Sequence, residues 1–203
     1  MGSSLRVAPL LTALLCCPFG IAAEFRLQLQ DSDGKPVPDI VAYVHSAAAK
    51  PVGVQADIVQ INKEFVPYVT VAPVGSRIRF PNKDTVRHHV YSFSDAKKFE
   101  LKLYSGVPAE PVLFDRAGVV ALGCNIHDWM LAYVLVVDTP WFGKSNGNGE
   151  LVLQLPPGPH QLQLWHPELN APTSTLAITV TDASAPLRVP VSLRPRASAS
   201  SSY

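Results

Sequence analysis

The chain has 203 residues, with 17 Lys+Arg against 16 Asp+Glu, which gives a formal net charge of +1 at pH 7. A chain so close to neutrality has no long-range field to draw it onto nucleic acid or anionic lipid, so an electrostatic polyanion binder is excluded. Hydrophobic residues make up 47% and charged residues 16%, with 19 prolines and 12 glycines. This composition is typical of a folded, turn-rich chain rather than a disordered one or a coiled coil, and we expect one or two small β-rich domains.

The amino terminus has the layout of a secretory signal peptide. Arg6 precedes an apolar run over residues 7–17, and the small residues Ala22 and Ala23 follow. We therefore predict a signal peptide over residues 1–23, cleaved near Ala23, and a periplasmic or secreted protein. No later segment approaches the roughly 18 uninterrupted apolar residues that a transmembrane helix needs, so no membrane span is predicted.

Alternating patterns then predict a series of strands. Residues 27–38 alternate and enter a run rich in turn residues, which is typical of strand, turn, strand. Residues 77–80 and 99–103 alternate apolar with charged side chains at the period of two expected of half-buried strands. We interpret these as antiparallel strands of a β-sandwich.

Two adjacent histidines, His88 and His89, follow a polar loop over residues 82–87 and precede a strand-like run that starts at Val90. Neighbouring residues of an extended chain point to opposite faces, so only one of the two histidines can face a given site. We favour His88 as a metal ligand, with His89 as a supporting group beside the site or a surface residue. The alternative is a pair of solvated loop histidines.

Cys124 would be the single thiol left after removal of residues 1–23, so it could not form an internal disulfide in an oxidising compartment. Burial as a small hydrophobe is the simplest interpretation. Its neighbours favour another, because His127 and Met130 follow it closely. A thiolate, an imidazole and a thioether form a donor set that copper selects, and His88 would provide the missing nitrogen. We therefore predict a metal site formed by His88, Cys124, His127 and Met130.

The remaining chain returns to strand patterns. Residues 132–137 form a nearly continuous apolar run suited to a central strand. Residues 150–155 and 161–164 alternate on either side of a Pro-Pro-Gly break, which predicts a hairpin. The chain from Arg194 to its last residue is rich in serine and alanine and is expected to be disordered. We assign residues 195–203 as a disordered tail.

The central segment resembles the cupredoxin, or type 1 blue-copper, family in its amicyanin/plastocyanin-like form. The resemblance is carried by residues 60–67 and 75–82, by the order His88, His89, Val90, and by the loop from Cys124 to Met130. It implies that His88, Cys124, His127 and Met130 bind one type 1 copper ion. The short interval between His127 and Met130 is amicyanin-like, but Asp128 stands where such loops carry proline. We also expect an apolar rim near His127, formed by Trp129 and Phe142, unless these aromatics only pack in the core.

The flanking segments resemble a carboxypeptidase regulatory-like (transthyretin-like, or prealbumin-like) β-sandwich, through the motifs DGKPV and GELVLQLPPGPHQLQLWHP. Neither half is long enough to close a sandwich alone, so we predict a discontinuous domain over residues 24–50 and 140–194. The cupredoxin domain, residues 51–139, would be inserted into it. The predicted fold class is thus all-β, a cupredoxin Greek-key β-sandwich plus a second small prealbumin-like β-sandwich. The joined arrangement resembles exported proteins labelled methylamine utilization proteins, and we infer no methylamine chemistry from that label.

These features predict an exported copper protein that transfers single electrons between redox partner proteins. We do not expect an enzyme, because zinc-peptidase and Gly-x-Ser-x-Gly motifs are absent from the sequence and the four ligands would fill the metal's coordination positions. Two alternatives stay open, a periplasmic copper carrier or storage protein and a non-redox structural or carbohydrate-binding β-sandwich with a buried thiol. Transient association with the cell envelope is a further expectation. His45, His160 and His166 are expected at the surface or a sandwich edge.

Overall fold

A computed structural model describes residues 22–45, 49–108, 110–171, 174–181 and 185–196. Those residues form seventeen strands and no helix, which confirms the all-β fold class. None of them belongs to a helix long and apolar enough to cross a membrane. Residues 1–21 of the predicted signal peptide and residues 197–203 of the predicted tail lie outside the described residues.

The strands fall into an outer unit, formed by both ends of the described chain, and a central unit between them. The outer unit consists of β1 Ala23–Gln30, β2 Val41–Val44, β13 Phe142–Lys144, β14 Glu150–Leu155, β15 Gly158–Trp165, β16 Ser174–Val180 and β17 Leu187–Pro190. The central unit consists of β3 Gln55–Asp57, β4 Val59–Ile61, β5 Glu64–Val66, β6 Val69–Pro73, β7 Ser76–Arg79, β8 His88–Ser94, β9 Lys97–Tyr104, β10 Val112–Phe114, β11 Gly118–Gly123 and β12 Leu131–Val137.

The outer unit has a three-stranded sheet in the order β14-β1-β17 and a four-stranded sheet in the order β13-β2-β15-β16. Its core is built by alternation, since Leu151, Leu153 and Leu155 are buried and the residues between them are exposed. Strand β1 pairs with β14 over a hundred residues away in the sequence. The two ends of the described chain therefore share one apolar cluster.

The central unit has a five-stranded sheet in the order β6-β12-β11-β8-β9, a three-stranded sheet in the order β10-β7-β3, and the β4-β5 hairpin. Side chains of both larger sheets meet in a second cluster, which contains Phe80, Phe114 and Leu122. The predicted strand over residues 77–80 pairs with β10 antiparallel, as expected, but with β3 in parallel, and β6 also pairs with β12 in parallel. Both parallel pairs are joined by connections long enough for a parallel crossover.

A β-bulge interrupts the pairing of β8 with β9 next to His88. His88 pairs with Tyr104 and Val90 with Leu101, so β9 has one residue more than β8 in this interval. The extra residue turns Leu103 outward, where it is 49% exposed, although the sequence alternation predicted it inside. Tyr104 turns inward instead, and its hydroxyl donates to the carbonyl of Phe80 at 2.6 Å.

The two units pack against each other through a third apolar cluster. Val41 and Trp165 of the outer unit contribute to it, as do Val69, Leu135 and Val137 of the central unit. The cluster covers the second face of β12, which is why the run of residues 132–137 is buried almost throughout. Strand β12 is thus packed on both of its faces.

Candidate metal centre

The predicted ligand loop connects two neighbouring strands. Strand β11 ends at Gly123, Cys124 follows directly, and β12 begins at Leu131. The two strands pair from Gly118 opposite Val136 up to Gly123 opposite Leu131, and the Met130 amide closes the loop by donating to the His127 carbonyl at 2.9 Å. Both ends of the loop are therefore fixed by backbone hydrogen bonds.

Three of the four predicted ligand residues come together at one point. The ligand atoms of His88, Cys124 and His127 all lie within 4.8 Å of one another. The two Nδ1 atoms are 3.1 Å apart, and Cys124 Sγ lies 3.9 Å from His127 Nδ1. His88 stands at the start of β8, far from the loop in sequence, and the pairing of β8 with β11 brings it there.

Met130, the fourth predicted residue, ends the same loop. It is 2% exposed and belongs to the central apolar cluster together with Cys124. A thioether in this position is surrounded by hydrocarbon and shielded from water.

His88, Cys124 and His127, which we call the donor group, differ in their exposure to solvent. His88 is fully buried and Cys124 is 2% exposed, whereas His127 is half-buried. Trp129 is 37% exposed with its ring centroid 5.2 Å from that of His127, and Ile126 is 46% exposed. The donor group therefore reaches the surface through one imidazole, on a loop where the apolar Ile126 and Trp129 and the polar Asn125 and Asp128 are all exposed.

Asp84 contacts His88 at Nε2, the ring nitrogen that does not face His127. Its Oδ2 lies 2.7 Å from His88 Nε2, and its carboxylate also accepts the backbone N–H groups of Asn62 and Lys63. Burial by itself would raise the pKa of Asp84, but the hydrogen bonds from Lys63, His88 and Asn62 together hold that pKa below its ordinary value. Sequence analysis missed Asp84. The available signal was a carboxylate four residues before His88, the predicted ligand, in a polar loop.

The surroundings of His127 favour its neutral form. Burial lowers the pKa of His127, and the charges of His88 and Lys63 lower it further, against an opposing effect of Asp84. A neutral imidazole keeps a lone pair for a metal ion.

The outer unit covers one flank of the ligand loop. A cavity of about 420 Å³ lies there, lined by Trp129 and Met130 from the loop and by Glu168 and Arg196 from the outer unit, among others. The Tyr68 hydroxyl donates to Glu168, and the Arg196 guanidinium lies 3.5 Å from the centroid of the Tyr68 ring.

His89 lies away from the donor group. It is 6% exposed, its Nε2 is 2.8 Å from Glu100 Oε1, and its ring packs against Tyr91. The expectation that it would stand beside the site or at the surface therefore differs from the structure. The alternation of a strand explains this, because His88 and His89 face opposite sides of the sheet.

Four other residues that were singled out from the sequence, one aromatic and three histidines, lie outside the donor group. Phe142 packs against the cluster between the two units, so the core-packing alternative describes it and the rim around His127 does not. His45 is exposed and pairs with Asp138, as expected, and His160 is half-buried with its Nε2 2.7 Å from the Pro156 carbonyl. His166 is 7% exposed and pairs with Glu168, so it is more buried than predicted.

No family model matches this sequence, and no curated protein matches it. Solved structures with similar folds include a Cu-containing nitrite reductase from Thermus scotoductus, with 21% identity, a TM-score of 0.39, and alignment over 48% of this chain and 25% of that one. A purple cupredoxin from Nitrosopumilus maritimus has 22% identity and a TM-score of 0.36, over 40% of this chain and 99% of that one. A variant of amicyanin in its reduced Cu(I) form has 19% identity and a TM-score of 0.36, over 47% of this chain and 98% of that one.

Proposed function

We propose that the chain is a copper-binding electron carrier in which His88, Cys124, His127 and Met130 hold one type 1 copper ion. The observation that carries the proposal is the convergence of two imidazole Nδ1 atoms and one thiol from two segments far apart in the chain. Two histidines and a cysteine with a weak axial methionine form the ligand set of blue-copper electron-transfer sites.

The spacing of the donor atoms suits a single metal ion. With zinc bond lengths as a guide, about 2.0–2.1 Å to nitrogen and about 2.3 Å to sulfur, the donors of one ion lie roughly 3.3–4 Å apart. The separations of 3.1 Å between the Nδ1 atoms and 3.9 Å between Cys124 Sγ and His127 Nδ1 are close to this range. Small side-chain movements would suffice to bind the ion.

Copper, when bound, would supply the one-electron couple. The protein would keep the donors in place, because Cys124 follows a paired strand and His88 begins another in the same sheet. A fixed ligand set changes little between the two oxidation states, which favours fast electron transfer. The half-buried edge of His127, with Ile126 and Trp129 beside it, would form the surface through which unidentified redox partners exchange electrons.

We propose a non-catalytic role, since four protein donors leave no coordination position for a substrate. Export through a signal peptide over residues 1–23, to the periplasm or the medium, is part of the same proposal. An exported site of this kind would meet its partners by transient docking.

We also propose that residues 51–139 form a cupredoxin domain inserted into a regulatory-like domain made of residues 24–50 and 140–194. The separate apolar clusters of the outer and central units support this division. The role of the regulatory-like domain would be to support the copper domain rigidly, since the two units share a packed contact.

Copper loading tests the proposed function. We expect one copper per chain, an intense visible absorption band with Cu(II), the paramagnetic resonance spectrum of a type 1 site, and a reversible wave in voltammetry. Copper binding without a reversible wave would favour the copper carrier or storage alternative. The absence of both copper and the band would favour a structural or carbohydrate-binding β-sandwich.

Met130→Leu is expected to retain the visible band and raise the reduction potential, because the axial thioether tunes the potential while the equatorial donors remain. The substitution nearly conserves volume at a residue that is 2% exposed, so stability should fall by less than about 1.5 kcal/mol. Voltammetry and absorption spectra of the two loaded proteins check this. An unchanged potential would argue against Met130 as a ligand.

A further inference from the structure

A single carboxylate joins the metal centre to a tight turn. Asp84 Oδ2 lies 2.7 Å from His88 Nε2 and accepts the Lys63 amide at 2.9 Å, while Oδ1 accepts the Asn62 amide at 2.7 Å. The Asp84 side chain is 14% exposed and that of His88 is fully buried. Both carboxylate oxygens are therefore used, in a place that is largely closed to water.

The turn itself depends on these contacts. Asn62 and Lys63 connect β4 and β5 and have φ angles of 56° and 57°, in the left-handed region that side chains adopt at a cost. Their amides point at Asp84 rather than at water. On the other side, Asn82 fixes the loop that carries Asp84, by accepting the Asp84 amide and donating to the Val86 carbonyl.

We propose that Asp84 is a positioning residue of the metal centre, which commits the Nε2–H of His88 to its carboxylate and thereby presents Nδ1 to Cys124 and His127. This inference rests on the proposed function. Because His88 is buried and its Nε2 is 2.7 Å from Asp84, its ring has one polar partner on that side. With that nitrogen protonated, the lone pair of Nδ1 is left for the metal.

The charge of Asp84 has a second consequence. A carboxylate that accepts the N–H of a ligand imidazole makes that imidazole a better electron donor. A better donor stabilises Cu(II) more than Cu(I), so Asp84 lowers the reduction potential of the site. An uncharged acceptor in the same place would keep the ring oriented and raise the potential.

The chain contains a matched control in the neighbouring histidine. His89 Nε2 lies 2.8 Å from Glu100 Oε1, almost the distance found between His88 and Asp84, but His89 faces away from the donor group. Glu100→Gln therefore removes a carboxylate from an imidazole that binds no metal. It should change neither the donor group nor the potential.

The test has one arm without copper and one with it. In the apoprotein at pH 8, nitrogen-15 spectra of His88 should show protonated Nε2, and Asp84→Ala should produce a mixture of the two neutral tautomers. In the loaded protein, Asp84→Asn should raise the Cu(I) to Cu(II) affinity ratio about tenfold, equivalent to about 59 mV for one electron. Copper affinity should fall roughly 10- to 100-fold in Asp84→Ala.

Two results would overturn the proposal. The first is that, in the apo Asp84→Ala variant, Nε2 of His88 stays protonated as fully as in the wild type. The second is that Asp84→Asn and Glu100→Gln shift the reduction potential equally. Should Asp84→Ala not fold, Asp84→Ser serves in its place, since its side chain is too short to reach the imidazole. If the wild-type chain binds no copper, the proposed function fails, while the tautomer measurement still decides the role of Asp84.

Discussion

Cys124→Ser is expected to abolish the visible absorption band and to weaken Cu(I) binding by more than the roughly 10- to 100-fold that changes outside the ligand set cause. The reason is that a serine hydroxyl replaces the one soft anionic donor of the group. Absorption and paramagnetic resonance spectra after Cu(II) addition, and competition with a Cu(I) chelator, measure both effects. Cys124 is 2% exposed, so the new hydroxyl should cost the apoprotein only about 1–3 kcal/mol of stability.

Val120→Thr provides the control for that experiment. Val120 is fully buried in the same apolar cluster as Cys124, and the substitution also places a hydroxyl there without touching a donor atom. We expect the control to lose stability and to keep the copper spectrum. An intense band and an unchanged Cu(I) affinity in Cys124→Ser would show that the thiolate is not a copper ligand. That result would also refute the proposed blue-copper function.

Trp165→Ala is expected to lower the free energy of unfolding by about 3–5 kcal/mol, the usual cost of removing a large buried aromatic side chain. Trp165 ends β15, is 6% exposed, and packs in the cluster between the two units with its ring edge-on to Tyr133. Urea denaturation of the apoprotein measures the loss. The central apolar cluster does not include Trp165, so the folded variant should still bind one copper.

Trp129→Ala removes the same side chain from an exposed position and completes the comparison. Trp129 is 37% exposed, so its loss of stability should be much smaller than that of Trp165→Ala. Its ring lies beside His127, and electron self-exchange, measured by NMR line broadening, should slow in this variant. Equal destabilisation by the two substitutions would contradict the assignment of Trp165 to the contact between units.

Local patterns were sufficient for much of the fold. The alternation of Leu151, Leu153 and Leu155 predicts their burial, because the period of a strand places every second residue on one face. The same rule separates His88 from His89. It fails at Leu103, where an additional residue in β9 shifts the alternation, and nothing in the local pattern marks that bulge.

The donor types and the spacing of Cys124, His127 and Met130 are properties of seven consecutive residues, so they can be read without a structure. The position of His88 opposite them depends on the pairing of β8 with β11. The hydrogen bonds that Asp84 accepts from Asn62 and Lys63 likewise join it to a turn more than twenty residues earlier in the chain. Phe142 illustrates the same limit, since an aromatic side chain suits a surface rim and an interior equally well. Side-chain alternation and the types of donor atom in a short segment can be determined from the sequence. Distances between remote segments are fixed only when apolar faces pack and strands pair in the folded protein.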